Sequence, residues 1–232
     1  MSERYWAVVP AAGVGKRMGS DIPKQYLDLM GRCVIDHTID RLLSHRLIDT
    51  VYVSLSEVDG YWGQTERAGD PRVVRVKGGD ERCHSVLNAL HVIGGSAHAD
   101  DWVLVHDAAR PCLTESDLDR LIDNLRDHPV GGLLGVPVQD TLKRVSTEGE
   151  VVTTVPRHEL WQAYTPQMFR LGMLTNALEQ AIDRGELVTD DASAMELAGH
   201  HPSIVEGHAG NIKITRPVDL SLAAYYLSQD RA

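Results

Sequence analysis

A chain of 232 residues, 43% of them hydrophobic, can bury a substantial core and is read as one domain. Its 33 acidic and 23 basic residues leave a formal net charge of −10, mixed in sign along the chain. That balance argues against nucleic acid or an anionic membrane surface as the main partner. Cys33, Cys83 and Cys112 are odd in number and far apart, which excludes a disulfide framework or a zinc site and fits a reducing cytoplasm. No apolar run approaches the roughly twenty residues of a membrane span, and the start of the chain carries no secretory h-region.

The first apolar run, Trp6-Ala7-Val8-Val9, predicts a strand. It opens into Pro10-Ala11-Ala12-Gly13-Val14-Gly15-Lys16-Arg17-Met18-Gly19, followed by Pro23-Lys24-Gln25-Tyr26. Two glycines two apart, after small Ala11 and Ala12, let the backbone approach an anion closely and aim N–H groups at it. Lys16, Arg17 and Lys24 then supply fixed positive charge, as suits a triphosphate. Spacing excludes two better-known phosphate loops. A Walker loop needs glycine where Pro10 stands and Ser or Thr where Arg17 stands, and a dinucleotide fingerprint would put its third glycine at Met18.

Val34-Ile35, Ile39 and Leu42-Leu43 recur at helical spacing, and Thr50 to Leu55 reads as the next strand, so a strand–helix–strand unit in a parallel sheet is expected. Val73 to Val76 is a further short strand. Gly78-Gly79-Asp80-Glu81-Arg82 follows, then a helix carrying Val86, Leu87, Leu90 and Ile93. Trp102 to His106 is apolar enough to be buried on both faces and ends in Asp107-Ala108-Ala109-Arg110-Pro111, where an aspartate can hold a metal or a ribose hydroxyl. His106 itself reads as a packed strand-end histidine. Thr114-x-x-Asp117 resembles a capping box for a helix with Leu118, Leu121, Ile122 and Leu125 inward.

Gly131 to Val138 reads as another strand. The rhythm then changes: Thr141 to Val145 and Val151 to Val155 flank a Ser-Thr-Glu-Gly-Glu turn and predict a β-hairpin arm, over about residues 138–157. A two-stranded hairpin is marginal alone in water, so a second subunit is a natural thing for it to pack on. Leu160 to Gln167 follows Arg157 without an assigned element. A helix from about Gly172 to Asp183 comes next, then a shorter one after Thr189-Asp190-Asp191. Ile204 to Glu206 and Ile212 to Ile214 look like short strands, and Pro217 opens a closing helix to about Leu227. His200-His201 has no ligand partners at metal spacing.

Pro10-Ala11-Ala12-Gly13-x-Gly15-x-Arg17-Met18 with Pro23-Lys24-Gln25 resembles the signature of nucleotidyltransferases that join a nucleoside triphosphate to a sugar or polyol phosphate. With Gly78 to Ser85, Asp107 to Pro111, Gln139 to Arg144, Arg157, Thr189 to Ser193 and Asn211 to Pro217 in this order, the chain is most similar to the 2-C-methyl-D-erythritol 4-phosphate cytidylyltransferases. The resemblance implies an α/β, Rossmann-like, mostly parallel sheet and CTP and 2-C-methyl-D-erythritol 4-phosphate as substrates. It further implies Mg²⁺ as cofactor and a homodimer whose arm reaches across.

Joining two anions requires neutralising charge as it moves to the bridging oxygen, so Arg17 and Lys24 are the expected catalytic residues, with Gly13 and Gly15 cradling the phosphates. Ala11, Ala12, Gly79, Asp80, Arg82, Ser85 and Ala108 are the further nucleotide contacts expected with the resemblance. Asp107 belongs to the metal and substrate region. Arg110, Thr141, Arg157, Thr189 and Lys213 grip the polyol phosphate, with Thr141 and Arg157 serving the partner's site. A cytidylyltransferase for another polyol phosphate, such as ribitol 5-phosphate, would share the CTP half of this pattern, and a non-catalytic CTP-binding protein would keep the loop. Pro156, just before Arg157, departs from the family pattern and restricts the arm's exit.

Overall fold

The computed structural model describes residues 4–13 and 22–229. In chain order the elements are β1 (Tyr5–Pro10), β2 (Asp28–Leu29), β3 (Arg32–Cys33), α1 (Val34–Leu43), β4 (Ile48–Leu55), β5 (Val73–Lys77), α2 (Arg82–Gly94), β6 (Trp102–Val105) and α3 (Glu115–Leu125). There follow β7 (Gly131–Pro137), β8 (Leu142–Val145), β9 (Val151–Val155), β10 (Trp161–Arg170), α4 (Leu171–Asp183), α5 (Asp191–Leu197), β11 (Ser203–Glu206) and α6 (Pro217–Gln229). Among the described residues no helix is long and apolar enough to cross a membrane.

Seven strands form one sheet in the order β11-β7-β10-β6-β1-β4-β5. All pairings are parallel except those of β10, which runs antiparallel to both β6 and β7. The expectation of a mostly parallel sheet holds, and its cause lies in the central strands. Ala7, Val8 and Val9 of β1 and all four residues of β6 are buried, because helices cover both faces.

Alternation sorts those side chains into two cores. Ala7, Val9, Trp102 and Leu104 pack with the apolar stripes of α1 and α3, whereas Val8, Val103 and Val105 pack with α2, α4 and α5. A third, smaller cluster joins α6 to Leu29, Val34, Ala109 and Ile214.

One expectation needs correction, the strand at residues 212–214, and two elements have no counterpart in the sequence reading. Residues 161–167, unassigned in the sequence, enter the longest strand: β10 lies between β7 and β6 with a register shift between Ala163 and Gln167, where the Thr165–Pro166 peptide is cis. Proline disguises this strand because it cannot donate to a ladder, and here it sits at the irregularity. Residues 212–214 pair with no strand. Ile214 instead gives one backbone N–H to Ala109 O at 2.8 Å, which docks this segment onto the turn after β6. Finally, β2 and β3 form a small hairpin closed by Met30 (φ 56°) and Gly31 (φ 86°), two left-handed residues as a tight hairpin turn demands.

The predicted hairpin pairs: β8 and β9 make a separate two-stranded sheet, with Val145, Val151 and Val152 more than half exposed.

Candidate active site

The loops that follow β1, β5 and β6 meet at the carboxyl edge of adjoining strands, the edge where open α/β sheets hold ligands. Ala11 N–H donates to Ser54 O at 2.8 Å, so the first loop continues the β1–β4 ladder one residue past the strand. Gly78 N–H likewise donates to Leu55 O at 2.7 Å. A Cβ on Gly78 would lie 2.5 Å from the Cβ of Ala12, and one on Gly79 would run into His84 Cβ. Both glycines are therefore required by close approach: Gly78 lets the second loop lie against the first, and Gly79 lets it pack on the first turn of α2.

The second loop is locked onto α2. Gly79 N–H donates to Ser85 Oγ at 3.0 Å, and Ser54 Oγ donates to Ser85 O at 2.7 Å. Glu81 and His84 form the helix's capping box. The ligand atoms of Glu81, Cys83 and His84 come within 4.8 Å of one another, but Glu81 and His84 are engaged in that cap. The positive helix terminus also opposes a cation there.

At the third loop, Asp107 is buried among cations. Arg82 Nε donates to its Oδ1 at 3.3 Å, Lys213 Nζ lies 2.8 Å from Oδ2, and Arg110 Nε approaches Oδ2 at 3.5 Å. Burial alone would raise the carboxyl, but these three charges outweigh it and hold Asp107 well below the usual carboxylate range. Arg82 also donates from NH2 to Asp191 Oδ2 at 2.8 Å, and Asp191 is wholly buried. Despite the cost of burial, the two carboxylates keep Arg82 firmly charged. Burial pushes the Arg110 guanidinium down; it gives NH1 to Asn211 O at 2.6 Å and lies 4.6 Å over the Tyr164 ring.

Beneath this turn lies a closed polar ring. His106 Nε2 contacts Arg110 O at 3.0 Å, and a carbonyl accepts only, so Nε2 carries the proton. Nδ1 then accepts from Thr165 Oγ1 at 2.9 Å, and the same hydroxyl oxygen accepts Asp107 N–H at 3.1 Å. Asn211 Nδ2 donates to Thr165 O at 2.8 Å. Complete burial lowers His106 to about 4, so the ring is neutral near pH 7. Thr38 Oγ1 adds a 3.0 Å bond to Ala108 O from α1. The turn that presents Asp107 is thus tied to three separate elements.

Facing it, Lys24 stands on a 3₁₀ turn, Lys24–Tyr26, and donates Nζ to Ile214 O at 3.1 Å. Tyr26 anchors the turn, with its hydroxyl 2.7 Å from Asp59 Oδ2 and its ring stacked on Tyr61 at 5.4 Å. Gln25 Nε2 donates to Ala11 O and Gly13 O.

A cavity of about 340 Å³ results, lined by Pro10 to Gly13, Lys24, Gln25, Gly79 to Arg82, Ser85, Asp107 to Ala109 and Lys213. Of the residues singled out in the sequence, it brings together Ala11, Ala12, Gly13, Lys24, Gly79, Asp80, Arg82, Ser85, Asp107, Ala108 and Lys213. Arg110 lies behind the wall, buried, and Thr189 is outside the lining, its N–H on Ser193 Oγ. Thr141 and Arg157 are exposed at the arm. Gly15 and Arg17 fall outside the described residues. The sequence reading did not single out Gln25, His106, Thr165, Asp191 or Asn211 as site residues. Gln25, Asp191 and Asn211 did carry a local signal, through their places in the Pro23-Lys24-Gln25, Thr189-to-Ser193 and Asn211-to-Pro217 motifs.

Comparison with known proteins agrees with this geometry. The family profile described as "IspD: 2-C-methyl-D-erythritol 4-phosphate cytidylyltransferase" matches residues 5–229. The chain is 55% identical over 217 residues to the 2-C-methyl-D-erythritol 4-phosphate cytidylyltransferase of Pseudomonas entomophila (strain L48), covering 93% of this chain and 92% of that protein. It is 54% identical over 233 residues to that of Ectopseudomonas mendocina (strain ymp), covering 100% and 99%. Among solved structures, the Francisella tularensis 2-C-methyl-D-erythritol 4-phosphate cytidylyltransferase superposes with a TM-score of 0.85 at 36% identity, over 97% of this chain and 100% of that one.

Proposed function

This chain belongs to the 2-C-methyl-D-erythritol 4-phosphate cytidylyltransferase family, and from that premise we propose how the residues gathered at its carboxyl edge carry out the family's reaction. CTP and 2-C-methyl-D-erythritol 4-phosphate give 4-diphosphocytidyl-2-C-methyl-D-erythritol and pyrophosphate, a step of isoprenoid precursor synthesis. The observation that carries the mechanism is the meeting, in one cavity, of a glycine loop, Lys24, and the Arg82–Asp107–Lys213 cluster.

The phosphate of the acceptor attacks the α-phosphorus of CTP in line, and pyrophosphate leaves on the opposite side. A phosphate monoester dianion is already a competent nucleophile near neutral pH, so no general base is needed. His106 supplies none: it is neutral, enclosed and outside the cavity lining. Catalysis reduces to holding two anions together and neutralising charge as it moves onto the bridging oxygen. Lys24 performs that neutralisation, together with Arg17. Gly13 and Gly15 cradle the phosphates. Gly79, Asp80 and Ser85, with Ala11 and Ala12, read the cytosine, whose amino donor and carbonyl acceptor suit fixed partners. Arg82 and Ala108 complete the nucleotide side. Lys213 grips the acceptor phosphate, backed by Arg110, with Thr189 at the rim and Thr141 and Arg157 contributed by the arm of a second subunit.

The donor set suits Mg²⁺ that enters with the nucleotide. Of the carboxylates lining the cavity, Glu81 caps α2 and Asp80 is exposed, which leaves Asp107 as the one buried protein donor. A hard dication would take its remaining oxygens from phosphate and water, and would supply charge neutralisation on the triphosphate. Both Asp107 oxygens already face cations, so Lys213, the most exposed of the three, would yield first. A reducing cytoplasm suits the three free cysteines.

Pyrophosphate release, measured with Mg²⁺ across the four nucleoside triphosphates and with methylerythritol phosphate or ribitol 5-phosphate as acceptor, tests the proposal. Turnover is expected for CTP with methylerythritol phosphate. Equal turnover with UTP or with ribitol 5-phosphate refutes the assigned readers, and crystals with the triphosphate lodged away from Lys24 refute the mechanism.

A further inference from the structure

Gln25 is an uncharged amide, 3% exposed, inside a motif whose neighbour Lys24 has the electrostatic role. Its Nε2 has two hydrogens, and both are used on the phosphate loop: 2.8 Å to Ala11 O and 3.1 Å to Gly13 O. Two carbonyls facing one amide group fix which end of the side chain is nitrogen. We propose that Gln25 is the positioning residue that sets the orientation of residues 11–13, the opening of the phosphate loop, and couples them to Lys24. This deepens the function given above and rests on it.

The peptide plane transmits the effect of this bond. In a trans peptide the C=O of one residue and the N–H of the next point in opposite directions. Drawing Ala11 O toward Gln25 therefore turns Ala12 N–H away from it, presenting a donor rather than an acceptor on the other side of the loop. A carbonyl turned toward phosphate would repel it. Ala11 is pinned from its other side as well, its own N–H on Ser54 O, so the Gln25 bond fixes a plane with little freedom left.

Coupling follows from the turn that carries Gln25. Tyr26 N–H donates to Pro23 O at 2.8 Å and closes that turn, while the Tyr26 side chain bonds Asp59 and stacks on Tyr61. Gln25 thus joins an anchored turn to the loop, and Lys24, one residue before it, is held at a set distance from the loop's N–H groups. Without the amide, both elements keep their own folds, but nothing on this path fixes their spacing.

The test uses Gln25→Leu, one atom shorter and without donors, and Gln25→Glu. For Gln25→Leu, kcat/KM for CTP should fall roughly tenfold or more, as when a buried acceptor, Ala11 O, and a part-buried one, Gly13 O, lose their donor, while KM for methylerythritol phosphate stays within about twofold. Gln25→Glu should be impaired at pH 8 and recover relative to wild type as pH falls toward 6. A carboxyl buried against two carbonyls is favoured in its neutral form, which regains one donor. A purely structural role would move both substrates and the thermal midpoint together, with no such pH signature. The inference is overturned if folded Gln25→Leu keeps its CTP parameters, if both KM values shift together, or if the Gln25→Glu ratio is flat with pH. Should Gln25→Leu fail to fold, Gln25→Glu decides alone. Wild-type turnover of CTP, run in parallel, tests the underlying function separately.

Discussion

Asp107→Asn is the most informative single change, because one carboxylate faces three cations. The contacts are 3.3 Å to Arg82, 2.8 Å to Lys213 and 3.5 Å to Arg110. At an effective dielectric of about 20, each pair at such distances is worth roughly 5 kcal/mol before desolvation is subtracted. Desolvation removes most of this, and the shortest contact is not the strongest: Lys213 is more than a third exposed and screened by water, while the less exposed Arg82 lowers the carboxyl most. Removing one partner of such a buried cluster leaves unpaired cations and costs about 3–5 kcal/mol. For a chain of this length that is roughly 6–20 °C in Tm.

Two signatures go with the loss of stability in this variant. Metal-free pyrophosphate brings negative charge back to the stranded cations, so it should raise the Tm of Asp107→Asn more than that of wild type. The acid limb should also differ. A carboxyl held low in the folded state stabilises above its unfolded value of about 3.9, and that stability is lost only as pH falls below it toward the folded value. Wild type should therefore lose this contribution below about pH 4, and the variant, lacking it, should show a shallower acid slope. Scanning fluorimetry from pH 8 to 3, with and without pyrophosphate, reads both. A Tm within about 2 °C of wild type, with the same pyrophosphate shift, would refute the idea that Asp107 organises these cations.

Other changes probe the remaining parts. Lys24→Ala should lower kcat on the order of a hundredfold or more while raising KM for CTP far less; weaker CTP binding with intact turnover would remove Lys24 from the chemistry. His106, lowered to about 4 by burial, stabilises fully above its unfolded value near 6.5 and loses that contribution as pH falls to about 4, on the order of 3 kcal/mol in all. Urea midpoints between pH 7 and 4 should fall less for His106→Gln than for wild type, and identical slopes would contradict the buried neutral ring. If the arm crosses between subunits, mixing inactive Lys24→Ala and Arg157→Ala proteins should restore about a quarter of wild-type activity, since half the dimers are mixed and each has one intact site. No recovery after subunit exchange would place Arg157 in its own subunit's site.

The parallel sheet was legible because burial on both faces leaves a local mark. Runs such as Ala7-Val8-Val9 and Trp102 to Val105 are apolar at every position, whatever lies on either side. Helices α1 and α3 were legible for the same reason, as each carries its own inward stripe. β10 was not. Its first residues are exposed and its last are buried, Pro166 interrupts it, and its place between β6 and β7 depends on strands at two other points of the chain. Ile212 and Ile214 show the opposite error: β-branched residues two apart look like a strand, but the segment joins no ladder and is docked by isolated contacts, the Ile214 N–H on Ala109 O and Lys24 Nζ on Ile214 O.

The site divides along the same line. Sequence by itself determined the glycine loops, Lys24 and the Asp107 turn, because an anion cradle needs small residues and fixed charge at short, local spacing. Tertiary structure alone decided which charges meet. Asp191 reads as solvated polar surface, yet it is fully buried because Arg82, 109 residues away, reaches it. Lys24 meets Ile214 O across 190 residues, and a net charge of −10 gives no hint of a cavity walled by Arg82, Lys24 and Lys213. The physical reason is range: backbone conformation and apolar periodicity are set by near neighbours, whereas Coulombic pairing in a buried site acts between whatever side chains the sheet's order brings within a few ångströms.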